Sequence, residues 1–318
     1  MNPIIEDNYA MVRALLLIKK NHPRNRLGCW YWQFLKVIFG PMLRSPKLIR
    51  TDVDIKVAVK FWCNPNTRIK TEVTYGHISD WETSQVTDME KLFSGESYLG
   101  GDANIQSFND DISRWNVSNV TTMNSMFRNA IVFNRDISIW DTSNVSTMEH
   151  MFDKAKAFNR DISRWDTSKV TTMERMFLHA CAFNGYLCRW NVSNVTTMEF
   201  MFRGAIAFNG DLGRWDVSNV ATMACMFWGA CAFNGDVSRW NISKVTNMQL
   251  MFHNAHVFNG DINRWDTSNV TNMEGMFNRA QVFNIDLSRW DTSNVTDMVY
   301  MFNECPIETN HKPLRCLR

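Results

Sequence analysis

Residues 158–182 read FNRDISRWDTSKVTTMERMFLHACA, and residues 183–207 read FNGYLCRWNVSNVTTMEFMFRGAIA. Laid one over the other, they share the Phe-Asn pair, the tryptophan, the Ser-x-Val turn and the Met-x-x-Met-Phe run. The register extends in both directions. Trp115, Trp140, Trp165, Trp190, Trp215, Trp240, Trp265 and Trp290 fall every 25 residues, with an outlying first copy at Trp81. A fixed period of this size marks units that cannot bury their apolar faces alone and must stack on their neighbours.

Each unit carries two apolar spacings. Ile112, Trp115, Val117 and Val120 follow the spacing of a leucine-rich-repeat strand. Val120, Met123, Met126, Phe127 and Ala130 fall at offsets that share one face of a helix. The expected architecture is α/β: a right-handed, leucine-rich-repeat-like solenoid of about nine coils, each a short parallel strand, a turn, and a helix or helical turns of about ten residues. The serine before the second half (Ser118, Ser143, Ser168 and onward) never varies and reads as an N-cap or turn former. Two asparagine columns compete for a buried inter-coil ladder. The one after Ser is interrupted by Lys169 and Lys244. The one after Phe (Asn109 through Asn284) is unbroken and takes the assignment.

The flanks differ in texture. Residues 1–74 read as a helical cap, with helices over Asp7–Lys20 and Trp30–Leu43. A third begins at Thr51 or Asp52 and stops at Asn64-Pro65. Residues 75–305 form the repeat region, with an insertion at about 94–107, and residues 306–318 form a short basic tail. At 318 residues and 45% hydrophobic content, the chain suffices for a continuous core plus this extra segment.

A formal net charge of +2 gives no general pull toward nucleic acid. The eight cysteines show no metal-ligand spacing, which points to free thiols and a reducing compartment. With no secretory leader and no spanning segment, the expected location is the cytoplasm. The apolar stretch 29–43 is too short to span a bilayer, but could tether the chain peripherally. No phosphate-cradling loop, zinc-protease pair or catalytic constellation appears, so neither an enzyme nor a cofactor is expected, and no metal site.

Two surfaces are candidates. Strand alternation would expose a polar ladder of Arg114, Arg164, Arg189, Arg214, Arg239, Arg264 and Arg289 beside Asp141, Asp166, Asp216, Asp266 and Asp291. Self-neutralisation between the columns is its plainest reading, and a glycan- or metal-binding ladder an alternative. The ladder breaks at Ile139 and at Tyr186-Leu187-Cys188. The helix phase would also expose an apolar patch of Leu178, Phe200, Cys225, Trp228 and Leu250, suited to a protein partner or to self-association.

The string F-N-x-D-I-S-x-W-D-T-S-N-V-T-x-M-x-x-M-F resembles the repeat of the BspA-type leucine-rich-repeat surface-protein family, over roughly residues 75–305. That resemblance implies non-catalytic adhesion or protein binding and brings no catalytic residues. The resemblance keeps a cell-surface location open beside the cytoplasmic expectation, although no signal peptide or lipobox cysteine is read in this sequence.

Overall fold

The computed structural model describes residues 49–95 and 103–317. The expected helices over Asp7–Lys20 and Trp30–Leu43, with the apolar stretch 29–43, lie outside them. Among the described residues no helix is long and apolar enough to cross a membrane.

The chain enters through β1 (Ile49–Thr51) and α1 (Asp52–Cys63). Thr51 caps α1, its N–H donating to Asp54 Oδ1 at 2.8 Å, and Asp52 and Asp54 place negative charge in the first turn. The helix ends where Asn64-Pro65 was expected to stop it. Its buried residues Ile55, Ala58, Val59 and Trp62 follow helical spacing. A second helix, α2 (Arg68–Tyr75), was not anticipated, because its sequence RIKTEVTY carries little apolar periodicity. Gly76, at φ 75°, ends it in a conformation most residues avoid.

This lead-in packs onto the first repeat unit. β1 pairs in parallel with β2 (Glu82–Gln85). Asp52 accepts the N–H groups of Thr87 and Asp88 at 2.7 and 3.0 Å. Trp62 meets Trp81 edge-on, 6.0 Å between ring centres, and the buried Arg50 guanidinium lies 4.4 Å from the Tyr75 ring. A further short helix, α3 (Ala103–Gln106), follows the insertion.

After a longer first unit that holds the insertion, the chain stacks in 25-residue units from Phe108, but not with the expected internal structure. Equivalent residues of successive units form one parallel bridge each, Thr122 to Thr147, Thr147 to Thr172, and so on to Asn272 and Asp297. The segment expected as a strand, Ile112–Val120, is instead two tight turns, closed by Trp115 N–H to Ile112 O at 3.1 Å and Val120 N–H to Val117 O at 2.9 Å. The expected helix is absent too. Two residues per unit, such as Ser125 at φ 54° and Asn129 at φ 58°, sit in the left-handed region, which breaks any right-handed helix.

Hydrogen bonds explain the choice. Through this segment alternate N–H groups leave the unit: Ser125, Phe127 and Asn129 donate to the Glu149, Met151 and Asp153 carbonyls at 2.8, 2.9 and 2.6 Å. The intervening Met126, Arg128 and Ala130 N–H groups close turns onto Met123, Ser125 and Phe127. Every second backbone donor is thus used between units, and a helix would withdraw all of them into the unit.

The core is columns of side chains. Trp115 through Trp290 are 3–4% exposed. Each indole donates to a carbonyl of the preceding unit, as Trp190 Nε1 does to Ile162 O at 3.0 Å. Phe152 stacks on Phe158 at 4.0 Å within its unit and on Phe177 at 5.6 Å in the next. Methionines at positions such as Met148 and Met151 fill the remaining space.

Both asparagine columns are ladders, so their competition was a false choice. Asn159 N–H donates to Asn134 Oδ1 at 3.1 Å, a step repeated to Asn284. Asn194 Nδ2 donates to Ser168 O at 2.7 Å, and Lys169 Nζ enters the same column by donating to Asn144 Oδ1 at 2.6 Å. The ladder after Phe is not buried as expected: Asn159, Asn184 and Asn209 are exposed, as is Asn194 of the other ladder. A ladder along the rim joins turns whose backbone groups face solvent, and that also lets lysine enter.

Candidate functional site

The Arg and Asp columns do lie outside. Arg114, Arg164, Arg189, Arg214, Arg239, Arg264 and Arg289 are exposed, as are Asp141, Asp166, Asp216, Asp266 and Asp291. They do not neutralise one another through contact: among the described residues no ion pair within 4.0 Å joins the columns. The aspartates have local work instead. Asp216 Oδ1 accepts the Ser218 N–H at 3.1 Å, and Asp141, Asp166, Asp266 and Asp291 hold Ser143, Ser168, Ser268 and Ser293 in the same way. Asn116, Asn191 and Asn241 make the same turn with an amide oxygen. This explains why the column accepts Asp or Asn and why the following serine is fixed. At the breaks, Ile139 is 72% and Tyr186 55% exposed, while Leu187 and Cys188 are buried.

The apolar patch is placed differently from the expectation. Cys225 is buried at 4%, and Leu178, Phe200, Trp228 and Leu250 are half-buried rather than exposed. The helical phase that put them opposite the core does not apply, since Phe200, Cys225 and Leu250 are left-handed turn residues at φ 56°, 58° and 55°. They remain on one face of the stack.

That face is where the units differ. The column 125, 150, 175, 200, 225, 250, 275, 300 holds Ser, His, Arg, Phe, Cys, Leu, Gly and Tyr, eight different residues in eight units. Three positions on, Arg128, Asp153, Leu178, Arg203, Trp228, His253, Asn278 and Asn303 vary almost as freely. The core columns of Trp, Met, Phe and Ala barely change.

The varied side chains touch from unit to unit. Arg128 Nε lies 2.9 Å from Asp153 Oδ2, which also meets His150 Nδ1 at 3.1 Å. His150 Nε2 is 3.4 Å from Arg175 Nη1, and the latter is 2.8 Å from Glu174 Oε1. The Arg175 guanidinium lies 4.7 Å from the Phe200 ring centre. Arg203 sits between Phe200 at 5.6 Å and Trp228 at 3.7 Å, and Trp228 meets His253 edge-on at 5.1 Å. The contacts run unbroken from Arg128 to His253, across six units.

Charge on this face is tuned by burial. Burial raises the Glu174 carboxyl, opposed by Arg175 and reinforced by Glu149 and Glu199. Burial, then Arg279 and Arg203, lowers His253 and keeps it neutral near pH 7. Burial pushes the Cys225 thiol up to about 11. One group on this face has the donor atoms for a metal ion: ligand atoms of Glu149, His150 and Glu174 lie within 4.8 Å of one another. The Arg175 guanidinium already provides a positive charge there.

Four overlapping stretches of the chain, residues 68–184, 102–213, 161–259 and 236–312, match the family described as Mycoplasma protein of unknown function, DUF285. The chain belongs to the DUF285 family. The overlaps reflect its repetition, since one family pattern fits the 25-residue units in several registers. No curated protein and no solved structure matches it. For this DUF285 chain, the candidate patch read from the sequence was apolar and left out Arg175, Arg203 and His253. The signal was present: Arg203 is three residues after Phe200 and 25 before Trp228, so the period places it between two aromatic rings.

Proposed function

We propose that this repeat protein is a non-catalytic scaffold that binds another protein through the varied face centred on Phe200, Arg203 and Trp228. The fold reading that accompanies it is a solenoid built of turns, one unit per coil. A single observation carries the proposal: in eight units, the column from residue 125 to 300 holds eight different residues in a left-handed conformation. Asn or Gly suits that conformation best, and a Phe, Leu or Tyr there costs stability. A column kept cheap for folding alone would converge on glycine. Backbone strain held beneath side-chain diversity is the mark of a surface selected for what it touches. Stacked Arg and Trp side chains, ordered before any partner arrives, lower the entropy cost of binding. The BspA-type resemblance, with its adhesion or protein-binding role, agrees with this reading.

The test compares immobilised full-length chain with two double variants in extracts of its own cells, reading retained proteins by mass spectrometry. Phe200→Ser with Trp228→Ser alters the varied face. Arg214→Ser with Arg239→Ser alters the Arg column. A protein retained by wild type and the Arg-column variant, but weakened by more than about tenfold on the face variant, is the expected result. Identical retention by all three chains, or none by any, would falsify the proposal.

A further inference from the structure

Along residues 273–279 and their equivalents, the inter-unit backbone hydrogen bonds are donated only toward the following unit, and the last unit leaves that row of donors open. Met273, Gly275, Phe277 and Arg279 donate N–H groups to the carbonyls of Asp297, Val299, Met301 and Asn303 at 2.8, 2.8, 2.9 and 2.8 Å. The equivalent donors of the final unit are the N–H groups of Met298, Tyr300, Phe302 and Glu304. None of the four has an acceptor among the described residues.

The C-terminal segment covers part of this end and stops short of that row. Glu308 N–H takes the next step of the asparagine ladder on Asn284 Oδ1 at 2.9 Å. Arg315 Nη1 donates to the carbonyls of Thr292 and Ser293 at 3.1 and 3.3 Å, and to that of Val295. The Ser293 carbonyl is equivalent to that of Ser268, which accepts from Asn294 Nδ2 at 2.7 Å. Arg315 therefore substitutes for the asparagine of a following unit. Beside the open row lies a cleft of about 380 Å³, lined by Met298, Tyr300, Phe302, Lys312, Arg315 and Cys316.

The polarity of this edge selects its occupant. The carbonyls of Met298, Tyr300 and Phe302 are already taken by the N–H groups of Met301, Asn303 and Cys305. The row thus offers donors without acceptors. A second copy approaching with the same edge would set donors against donors. An ordinary extended strand brings an N–H beside each facing carbonyl, and those N–H groups would be buried unpaired. A coil of this repeat avoids the conflict, since its own N–H groups close turns inside the unit, as Met301 and Asn303 do here. We infer that the edge formed by Met298, Tyr300, Phe302 and Glu304 docks a further 25-residue coil of the same repeat type, carried by another polypeptide, as a continuation of the inter-unit interface.

The test uses the full chain and a synthetic peptide with the sequence of residues 261–285, and reads backbone amide exchange at Tyr300, Phe302 and Glu304. Saturable slowing by at least about tenfold, absent with a scrambled peptide, is the expected result. Unchanged exchange at saturating peptide, or equal slowing by the scrambled one, overturns the inference. Slowing in the chain alone that grows with its concentration overturns it in favour of a second copy. A full-length variant with residues 280–304 duplicated after Glu304 supplies the coil in cis. It is expected to protect the same amides of the first copy, and unchanged exchange there also overturns the inference.

Discussion

The Arg203 guanidinium carbon lies 3.7 Å from the centre of the Trp228 ring, one unit along the stack. The contact joins two residues of the varied face and leaves the core untouched. Such a pair contributes about 0.5–2 kcal/mol when partly desolvated. A double-mutant cycle of Arg203→Ala and Trp228→Ala, read by urea unfolding, is expected to give a coupling of about 1 kcal/mol. Zero coupling would mean that the stack is not populated in solution.

Cys225 provides a chemical check on the same face. Its thiol is buried and held at about 11, so at pH 8 almost none of it is thiolate. Cys181 and Cys231 are half-buried. In the native chain, iodoacetamide at pH 8 is expected to label Cys181 and Cys231 well before Cys225, with site occupancy read by mass spectrometry. Cys225 reacting first would restore the exposed patch that the sequence suggested.

These two cases show what the sequence could and could not convey. The 25-residue period, the buried Trp column and the stop at Asn64-Pro65 were legible because burial and proline chemistry write directly into residue identity. The internal structure of each unit was not. Val120, Met123, Met126, Phe127 and Ala130 are all buried, as a helix would require, yet the backbone between them turns left-handed at Ser125 and Asn129. Nothing in Phe200, Cys225 or Leu250 announces a positive φ, because those residues are uncommon there. Their apolar spacing fits either path, and the choice is made by hydrogen bonds to the next unit. The patch followed the wrong phase for that reason. The Arg and Asp columns are exposed as expected, although turns and not the expected strand alternation expose them.

Replacing a central tryptophan should divide the stack. Trp190→Ala removes a ring that is 3% exposed and the donor to the Ile162 carbonyl. The expected cost is about 3–5 kcal/mol. Because each unit contacts only its neighbours, the loss falls on the interfaces that couple the two halves. Guanidinium unfolding of Trp190→Ala is expected to become biphasic, while Trp290→Ala, near the end, keeps one main transition.

The turn aspartates set an acid limit. Asp141, Asp216 and Asp266 lie below the ordinary carboxylate range, chiefly because the hydroxyls of Ser143, Ser218 and Ser268 donate to them, then the corresponding N–H groups. A depressed folded pKa contributes stability that is full above the unfolded value and is lost as pH falls through the folded one. The thermal midpoint is expected to start falling below about pH 4. The triple variant Asp141→Asn, Asp216→Asn, Asp266→Asn should keep the fold at pH 7, as Asn116, Asn191 and Asn241 already make this turn, and should show a shallower acid slope. An identical slope would remove these carboxylates as its source.

The left-handed column lets stability and recognition be set against each other. Tyr300 is at φ 56° with its side chain 66% exposed, so little packing offsets the backbone cost. Tyr300→Asn, which tolerates this conformation, is expected to stabilise the chain by roughly 0.5–1 kcal/mol in urea unfolding. Phe200 is at the same angle but contacts Arg175 and Arg203. Phe200→Asn gains the same backbone relief and loses both cation–π contacts, so its net change should lie near zero or be destabilising. If Phe200→Asn stabilised as much as Tyr300→Asn, the side chain would add nothing to the folded chain. Retention of a strained phenylalanine there would then rest on binding alone. If neither substitution stabilised, the column would carry no strain, and the diversity at residues 125–300 would lose its argument for selection.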